Sequence, residues 1–283
     1  LSLAMNKDVI AKLPNEARQI INSDAKIINR LGSNALANYL LVNKGVYATD
    51  EDVPVNPATG ERMKAANNKN NGYVYMQAGD PIWVDVNGDY IIDDKDKVVV
   101  GNSQPRLTGG FNANLRYKSF SINTNFSFTI KRDIINKALA DRFAAYGNPL
   151  SKDLNGSGAI TPIEAFDFWK EDHIYAKYPN PFDYIRGGTA DHQVNFFRPD
   201  QTLFMEDGSF LKINGVSISY VLPKKVLDFL RVERVQLNAS VNNIYTFSKY
   251  SGVNPENVNS LGYDVSGGYP NSRNYTMGVS IDF

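Results

Sequence analysis

An all-β architecture of antiparallel strands is what this sequence predicts, and three observations carry it. Several segments after residue 105 alternate apolar and polar side chains with a period of two. The polar positions of those segments hold Asn, Ser and Thr rather than Lys and Glu. The connections between them alternate between short turns and long excursions. The first observation establishes strands, and the other two bear on what the strands build. A soluble sandwich gives its outer faces to charged residues, whereas a wide transmembrane barrel lines its lumen with neutral polar groups and turns apolar side chains to lipid. Long loops at one rim with short turns at the other also fit an outer-membrane barrel. Aromatics gather near strand ends, at Tyr117, Phe120, Tyr220, Tyr245, Phe247, Tyr275 and Phe283. They suit an interfacial girdle and equally the packed core of a sandwich.

Along the chain, residues 1–10 (LSLAMNKDVI) lack a charged stretch followed by a long apolar one and read as the tail of a strand that continues from upstream. An excursion over 11–105 follows. From Leu107 to Tyr117, Phe111, Ala113, Leu115 and Tyr117 share one face, with Asn112, Asn114 and Arg116 opposite. Lys118 and Ser119 leave room only for a tight turn. Phe120, Ile122, Phe126, Phe128 and Ile130 then alternate with Ser121, Asn123, Asn125, Ser127 and Thr129, which completes a hairpin. A second excursion covers 131–209. Within it, Thr161-Pro162-Ile163-Glu164 reads as a capping box with Pro at the first helical position, opening a short helix through about Lys170.

In the next strand, Leu211 and Ile213 lie in one phase and Val216, Ile218, Tyr220 and Leu222 in the other, so a bulge is expected at Asn214-Gly215. The connection PKKVLDFLRVER is short enough for one or two helical turns. Val235, Leu237, Ala239, Val241, Tyr245 and Phe247 mark the following strand, with Gln236, Asn238, Ser240 and Asn242 opposite. After a third excursion over 248–271, Tyr275, Met277, Val279, Ile281 and Phe283 mark the last strand.

Composition narrows the function classes. The 283 residues can bury a sizeable core, and Lys plus Arg equals Asp plus Glu at 30 each without a basic run, so a nucleic-acid partner is not expected. The absence of cysteine excludes disulfide frameworks, thiol nucleophiles and zinc-thiolate sites. Mean hydropathy is −0.35, and no run approaches the roughly 18 apolar residues of a membrane-spanning helix. That does not exclude a barrel, the other structure able to satisfy its backbone inside a bilayer.

The one strong chemical motif is Asp85–Asp96, DVNGDYIIDDKD. Asp85, Asn87, Asp89, Asp93 and Asp96 place oxygens at positions 1, 3, 5, 9 and 12 of a calcium-loop pattern, with the Ile91 carbonyl at position 7. Such spacing suits a hard cation, and Ca²⁺ is the expected cofactor. Two positions depart from the pattern: Tyr90 stands where the turn favours Gly, and Asp96 replaces the longer Glu. The bland alternative is an acidic turn. No nucleophile elbow, phosphate loop or zinc-type histidine pair is present, and His173 and His192 are isolated. The acid pairs Glu171-Asp172 and Glu206-Asp207 read as solvated turns, because adjacent side chains point apart. No enzyme is expected. Trp169, Tyr175, Tyr178, Phe196 and Phe197 could stack on a sugar or meet a lid protein, but packing of the long loop is the preferred reading.

Several ordered blocks carry a family resemblance: Gly79-Asp80-Pro81 before the acidic loop, then residues 99–105 (VVGNSQP) and Thr108-Gly109-Gly110-Phe111-Asn112. Residues 206–213 (EDGSFLKI), Leu222-Pro223, residues 242–247 (NNIYTF) and the terminal Phe283 follow in order. With these blocks the chain resembles the C-terminal portion of the SusC/RagA-type TonB-dependent outer-membrane transporters, nutrient importers of Bacteroidetes. The resemblance implies that 1–10 end an upward barrel strand, that 11–105 lie outside the cell, and that five complete strands follow, the last of a barrel of about 22. It implies a plug and an energy-coupling segment beyond this chain, and a barrel-assembly signal at Phe283. It further implies an outer-membrane location, a SusD-like surface lipoprotein as lid, coupling to the TonB complex, and glycan or peptide cargo. The alternative from a different class is a secreted calcium-dependent glycan-binding or adhesive β-sandwich. The two differ in whether the apolar strand faces bury one another or meet lipid.

Overall fold

The computed structural model describes residues 1–22, 27–35, 37–67, 72–146, 163–182, 194–259, 261–264 and 271–283. In chain order the strands are β1 (Ser2–Met5), β2 (Gln19–Asn22), β3 (Ile27–Arg30), β4 (Ala37–Leu40), β5 (Asn43–Val46), β6 (Lys64–Asn67), β7 (Gly72–Tyr75), β8 (Pro81–Trp83), β9 (Ile91–Ile92) and β10 (Val98–Val100). Then follow β11 (Leu107–Tyr117), β12 (Phe120–Ile130), β13 (Asp133–Ile135), β14 (Met205–Asp207), β15 (Phe210–Val221), β16 (Arg234–Ser248) and β17 (Asn274–Asp282). Two helices are described, α1 (Lys137–Tyr146) and α2 (Lys224–Leu230).

The organising feature is a six-stranded antiparallel sheet in the order β1-β11-β12-β15-β16-β17. Its five long strands run to 11, 11, 12, 15 and 9 residues, lengths that cross a bilayer when tilted. Register puts like with like. Tyr117, Phe120, Tyr220, Leu237 and Val279 are cross-strand neighbours, and so are Leu115, Ile122, Ile218, Ala239 and Met277. On the other face Asn114, Asn123, Ser217, Ser240 and Thr276 form a row, as do Arg116, Ser121, Ser219, Asn238 and Gly278. The apolar rows stay uncovered: Leu115 is 68% exposed, Tyr245 56% and Phe247 53%. A sandwich would bury these rows against a second sheet, and among the described residues no second sheet does so. The sheet is a stretch of barrel wall.

The expected bulge is present. Asn125 pairs with Gly215 and Phe126 with Ile213, which leaves Asn214 extra, with its Oδ1 accepting from Ser127 Oγ at 3.3 Å. On β16 the ladder also jumps, from Tyr245 to Asn242, and Asn243 takes a left-handed φ of 55°. Asn tolerates that conformation better than a branched residue would. The bulge restores the phase, so Ile213 and Val216, three apart in sequence, both lie in the apolar rows.

The three excursions leave the same end of the sheet and pack into one rim. Its core lies in clusters whose members all fall outside the six-stranded sheet. One joins Leu41, Tyr47, Met63, Trp83 and Ile92 of the first excursion to Val194 and Phe196 of the second. Another gathers Leu139, Phe143, Phe168, Tyr178, Phe197 and Phe204, with Phe143 meeting four of the surrounding rings edge-on at 4.7–5.6 Å. A third links Leu40, Ile135 and Tyr263, one residue from each excursion. At the opposite end lie the Lys118-Ser119 turn and the connection through α2.

The helix expected to open at Thr161-Pro162 and run through about Lys170 is not formed over its described part, 163–170. Ile163–Ala165 makes a single 3-10 turn, and Phe168 and Lys170 instead bridge Tyr178 and His173. Phe168 is claimed by the aromatic cluster, and tertiary packing overrides the local signal. Thr161, Pro162 and His192 lie outside the described residues.

Candidate functional site

The Asp85–Asp96 loop sits in the first excursion, between β8 and β10. Asp85 accepts the N–H groups of Gly88 at 2.7 Å and Tyr90 at 2.8 Å, one on each oxygen. Asn87 Oδ1 accepts from the Asp89 N–H at 2.9 Å, and Asp89 Oδ1 from the Ile91 N–H at 2.8 Å. Tyr90 adopts φ 62°, the left-handed conformation that Gly supplies at this position of a calcium loop, so the turn is made despite the substitution. Ile91 pairs in parallel with Lys64 of β6.

The second half of the loop is a 3-10 turn closed by a capping box. Asp93 Oδ1 accepts from the Lys95 N–H at 2.6 Å, while Asp96 accepts from the N–H groups of Asp93 and Val86, both at 2.8 Å. Asp96 is fully buried. Burial raises its carboxyl above the usual range and the charge of Asp85 adds to this, against the lowering effect of the backbone donors. The donor set is all oxygen, as a hard cation requires, and the buried acid near the charge of Asp85 is a concentration of negative charge that a cation would offset. Most of the oxygens are directed at backbone N–H groups, however, while Asp89 Oδ2 accepts from Asn87 Nδ2 at 3.0 Å and Asp93 Oδ2 pairs with Lys95 at 3.2 Å, and among the described residues no three acidic or histidine side chains converge on one point.

Beside the loop, a 460 Å³ groove is lined by Lys44, Tyr47, Asp52, Trp83, Asp85 and Tyr175. The first acid of the loop therefore also faces a surface that two excursions build together. Tyr175 stands 82% exposed at this groove, whereas Trp169, Tyr178, Phe196 and Phe197 are buried. Packing thus claims four of the five loop aromatics. The Gly79-Asp80-Pro81 block serves the same packing: a Cβ at Gly79 would come within 2.8 Å of the Trp169 ring, and Asp80 holds the turn through the Gln77 N–H at 2.8 Å. Burial, with Asp80 adding its charge, pushes the Tyr47 phenol up to about 12.

What the sequence reading missed is the polar seam between the excursions. Asp200, fully buried, accepts from Arg198 through both oxygens at 2.7 and 2.6 Å and pairs with Lys97 at 2.8 Å. Lys97 also reaches Asp94 at 2.8 Å, so the seam begins inside the acidic loop. Burial opposes charge on Asp94, but the Lys97 hydrogen bond and the nearby Lys97 and Arg198 charges prevail and hold its carboxyl below the usual range. Gln201 adds a neutral tie, accepting from Trp83 Nε1 at 2.8 Å and donating to the Phe196 carbonyl at 2.7 Å. The remaining expected residues are unremarkable in chemistry. His173 Nε2 meets Asp167 at 2.7 Å on the surface, Glu206 binds Ser251 and Asn136, and Phe283 is 90% exposed beyond β17.

On the wall, the polar face is hollowed into a 410 Å³ depression lined by Asn114, Asn123, Ser217, Asn238 and Thr276, all neutral. Such a surface can form hydrogen bonds with a solute in passing but offers it no fixed charge.

The chain has relatives among curated proteins. TonB-dependent receptor P3 of Formosa agariphila is 26% identical over 216 residues, 72% of this chain and 19% of the relative. TonB-dependent receptor SusC of Bacteroides thetaiotaomicron is 26% identical over 225 residues, 76% of this chain and 19% of the relative. The chain thus spans 19% of the length of each of these two curated relatives. Among solved structures, the RagAB peptide transporter matches with a TM-score of 0.65 at 20% identity, over 99% of this chain and 26% of that one. No family model matches the chain. The structural likeness establishes the fold, wall strands and long loops of a large β-barrel. The relatives are receptors by name, in keeping with both the family resemblance and the expectation that this is not an enzyme.

Proposed function

We propose that this chain, a section of barrel wall and rim of the SusC/RagA type, serves TonB-dependent import of a nutrient across an outer membrane. The observation that carries the reading is the wall. Its apolar rows are exposed and continuous across the strands, and its opposite face is polar and mostly neutral. Lipid on one side and a watery passage on the other account for both faces at once. The long-loop rim then lies outside the cell and the short turns in the periplasm.

In this reading the chain performs no covalent chemistry. The mostly neutral lumen face lets an oligosaccharide or peptide pass without trapping it, and the groove with Tyr175 and Trp83 gives the rim an amphipathic surface for cargo or for a SusD-like lipoprotein lid. The peptide alternative for the cargo is supported by the name of the RagAB peptide transporter. Energy would come from the TonB complex through parts of the protein beyond this chain. We further assign Ca²⁺ to the Asp85–Asp96 loop, with Asp85, Asn87, Asp89, Asp93, Asp96 and the Ile91 carbonyl as its oxygen donors. This rests on their spacing and on the left-handed Tyr90 turn. Phe283 is assigned the barrel-assembly signal.

The membrane reading is tested on the full-length protein. It is expected to fractionate with the outer membrane, to need detergent for solubility, and to change gel mobility on heating. A monodisperse, stable protein without detergent would overturn it. Loss of nutrient uptake on deletion of the partner lipoprotein gene, restored by its return, tests the import step.

A further inference from the structure

We infer that α2, the helix in the β15–β16 connection, is an interfacial anchor that lies on an anionic phospholipid leaflet at the short-turn rim. The inference rests on the barrel reading and adds a specific lipid contact to it.

Val226, Phe229 and Leu230 fall at i, i+3 and i+4 and so share one face of α2. All three are exposed, Phe229 at 86%. An apolar stripe of this kind in a seven-residue helix is costly in water, and nothing among the described residues covers it. Its occupant can be read from what it adjoins. The outward apolar face of the wall reaches this point, where Val235 at the foot of β16 shares it with Leu237 and Ile281. Leu222 donates its N–H to the Val235 carbonyl at 3.0 Å, the ladder pair after Val221 and Gln236, so the wall runs to within two residues of Lys224, where α2 begins. The stripe therefore adjoins the foot of the wall, where the apolar rows end.

Charge complementarity gives the leaflet its sign. Lys224, Lys225, Arg231 and Arg234 outnumber Asp228 and Glu233 in this connection, and Lys118 of the neighbouring turn adds a further cation, with its Nζ 5.2 Å from the centre of the Tyr117 ring. Arg231 closes the helix at φ 55°, a left-handed position usually given to Gly, and donates its N–H to the Asp228 and Leu227 carbonyls. A residue with a Cβ is strained there, but a cation at a helix C-terminus and beside phosphates is favoured. Apolar residues on one side and basic residues around them are the pattern of helices that lie in a membrane interface.

The test uses the full-length protein in phosphatidylethanolamine/phosphatidylglycerol vesicles, with a nitroxide at Phe229→Cys and, separately, at Ile218→Cys on the wall. Collision with dissolved oxygen reports lipid, and collision with a neutral nickel chelate reports water. Heat-modifiable gel mobility verifies that each variant has folded. The label at 229 is expected to favour oxygen, at a shallower depth than the label at 218. Replacing Lys224→Glu and Lys225→Glu together should shift position 229 several-fold toward the nickel reagent and leave 218 unchanged. If 218 reports lipid but 229 reports open water, α2 is no anchor and the inference falls while the barrel stands. If 229 is shielded from both reagents, a protein covers the stripe and the inference falls as well. If 218 itself reports water, the barrel reading beneath the inference is what fails.

Discussion

The wall and the rim obey opposite rules with the same amino acids. Phe126, Ile218 and Phe247 on the wall are as apolar as Phe143, Phe168 and Phe196 in the rim. Ile218 and Phe247 are nevertheless 43% and 53% exposed, while the rim residues are at most 1% exposed. The wall strands are held by register and ladder hydrogen bonds, and in the proposed membrane setting lipid supplies the apolar partner. The rim faces water and must bring its own core, assembled from segments more than a hundred residues apart. Polar residues divide in the same way. The polar wall rows are mostly neutral Asn, Ser and Thr, whereas the rim buries an Arg198–Asp200–Lys97 cluster at its seam. On the barrel reading proposed above, the wall therefore needs little core of its own, and its loops need one as good as that of a soluble domain.

The largest expected effect attacks the rim alone. Phe143 stands at the centre of an aromatic cluster and is fully buried, so Phe143→Ala should cost the rim about 3–5 kcal/mol. Hydrogen exchange is expected to accelerate across 137–146 and 196–204 while the amides of β11, β12, β15 and β16 stay protected. If the wall amides open with them, rim and wall are one cooperative unit and the contrast drawn above fails. The next effect attacks the wall through two adjacent residues. Ile218→Arg puts a charge among apolar neighbours and should cost about 2–4 kcal/mol near the bilayer midplane. Ser217→Arg, one residue away on the polar face, should cost far less. Urea unfolding in lipid vesicles reads both, and equal losses would mean that the two faces see the same medium.

The calcium loop comes third. With free Ca²⁺ at a hundred times its dissociation constant, binding should stabilise the rim by about 2.7 kcal/mol. Asp85→Ala with Asp89→Ala should abolish both the bound metal and the calcium-dependent protection of residues 85–96. Unchanged metal content and loop order in that double variant would end the assignment.

The same contrast explains what could be read from the sequence. A strand between lipid and lumen announces both faces at period two, which is why the strand phases and the bulge at Asn214 were legible. Rim structure depends on distant partners that no local pattern contains. Gln201 and Asp200 look like ordinary loop residues until Trp83 and Lys97 arrive from the first excursion. The 163–170 segment carries a local helix signal that the aromatic cluster overrides. By contrast, α1 went unpredicted although a signal existed: Asn136 caps it by accepting the Leu139 N–H at 3.0 Å, and Leu139, Ala140, Phe143 and Ala144 follow at helical spacing. For the acidic loop, sequence marked the turn and its acids, but not that Asp94 would join the seam.

The smallest expected effect tests whether the rim tolerates a charge conflict where the wall has avoided one. Asp133 of β13 lies directly opposite Asp207 of β14 in an antiparallel pair. Burial raises the Asp133 carboxyl and the Asp207 charge raises it further, against the N–H of Asn102, which donates at 2.6 Å. A carboxyl raised in the folded state binds more protons there than in the unfolded chain, so its contribution to stability is present in acid and lost as pH rises through its folded pKa. Asp207→Asn removes the opposing charge and keeps an Oδ1 acceptor for the Ser209 N–H, which Asp207 now receives at 2.9 Å. Slower exchange of the β13 and β14 amides is expected at neutral pH, equivalent to roughly 0.2–1 kcal/mol. The gain should vanish below the ordinary Asp pKa of about 3.9, where wild type is already discharged. A gain that persists in acid would mean that the asparagine packs better and that charge had no part in it.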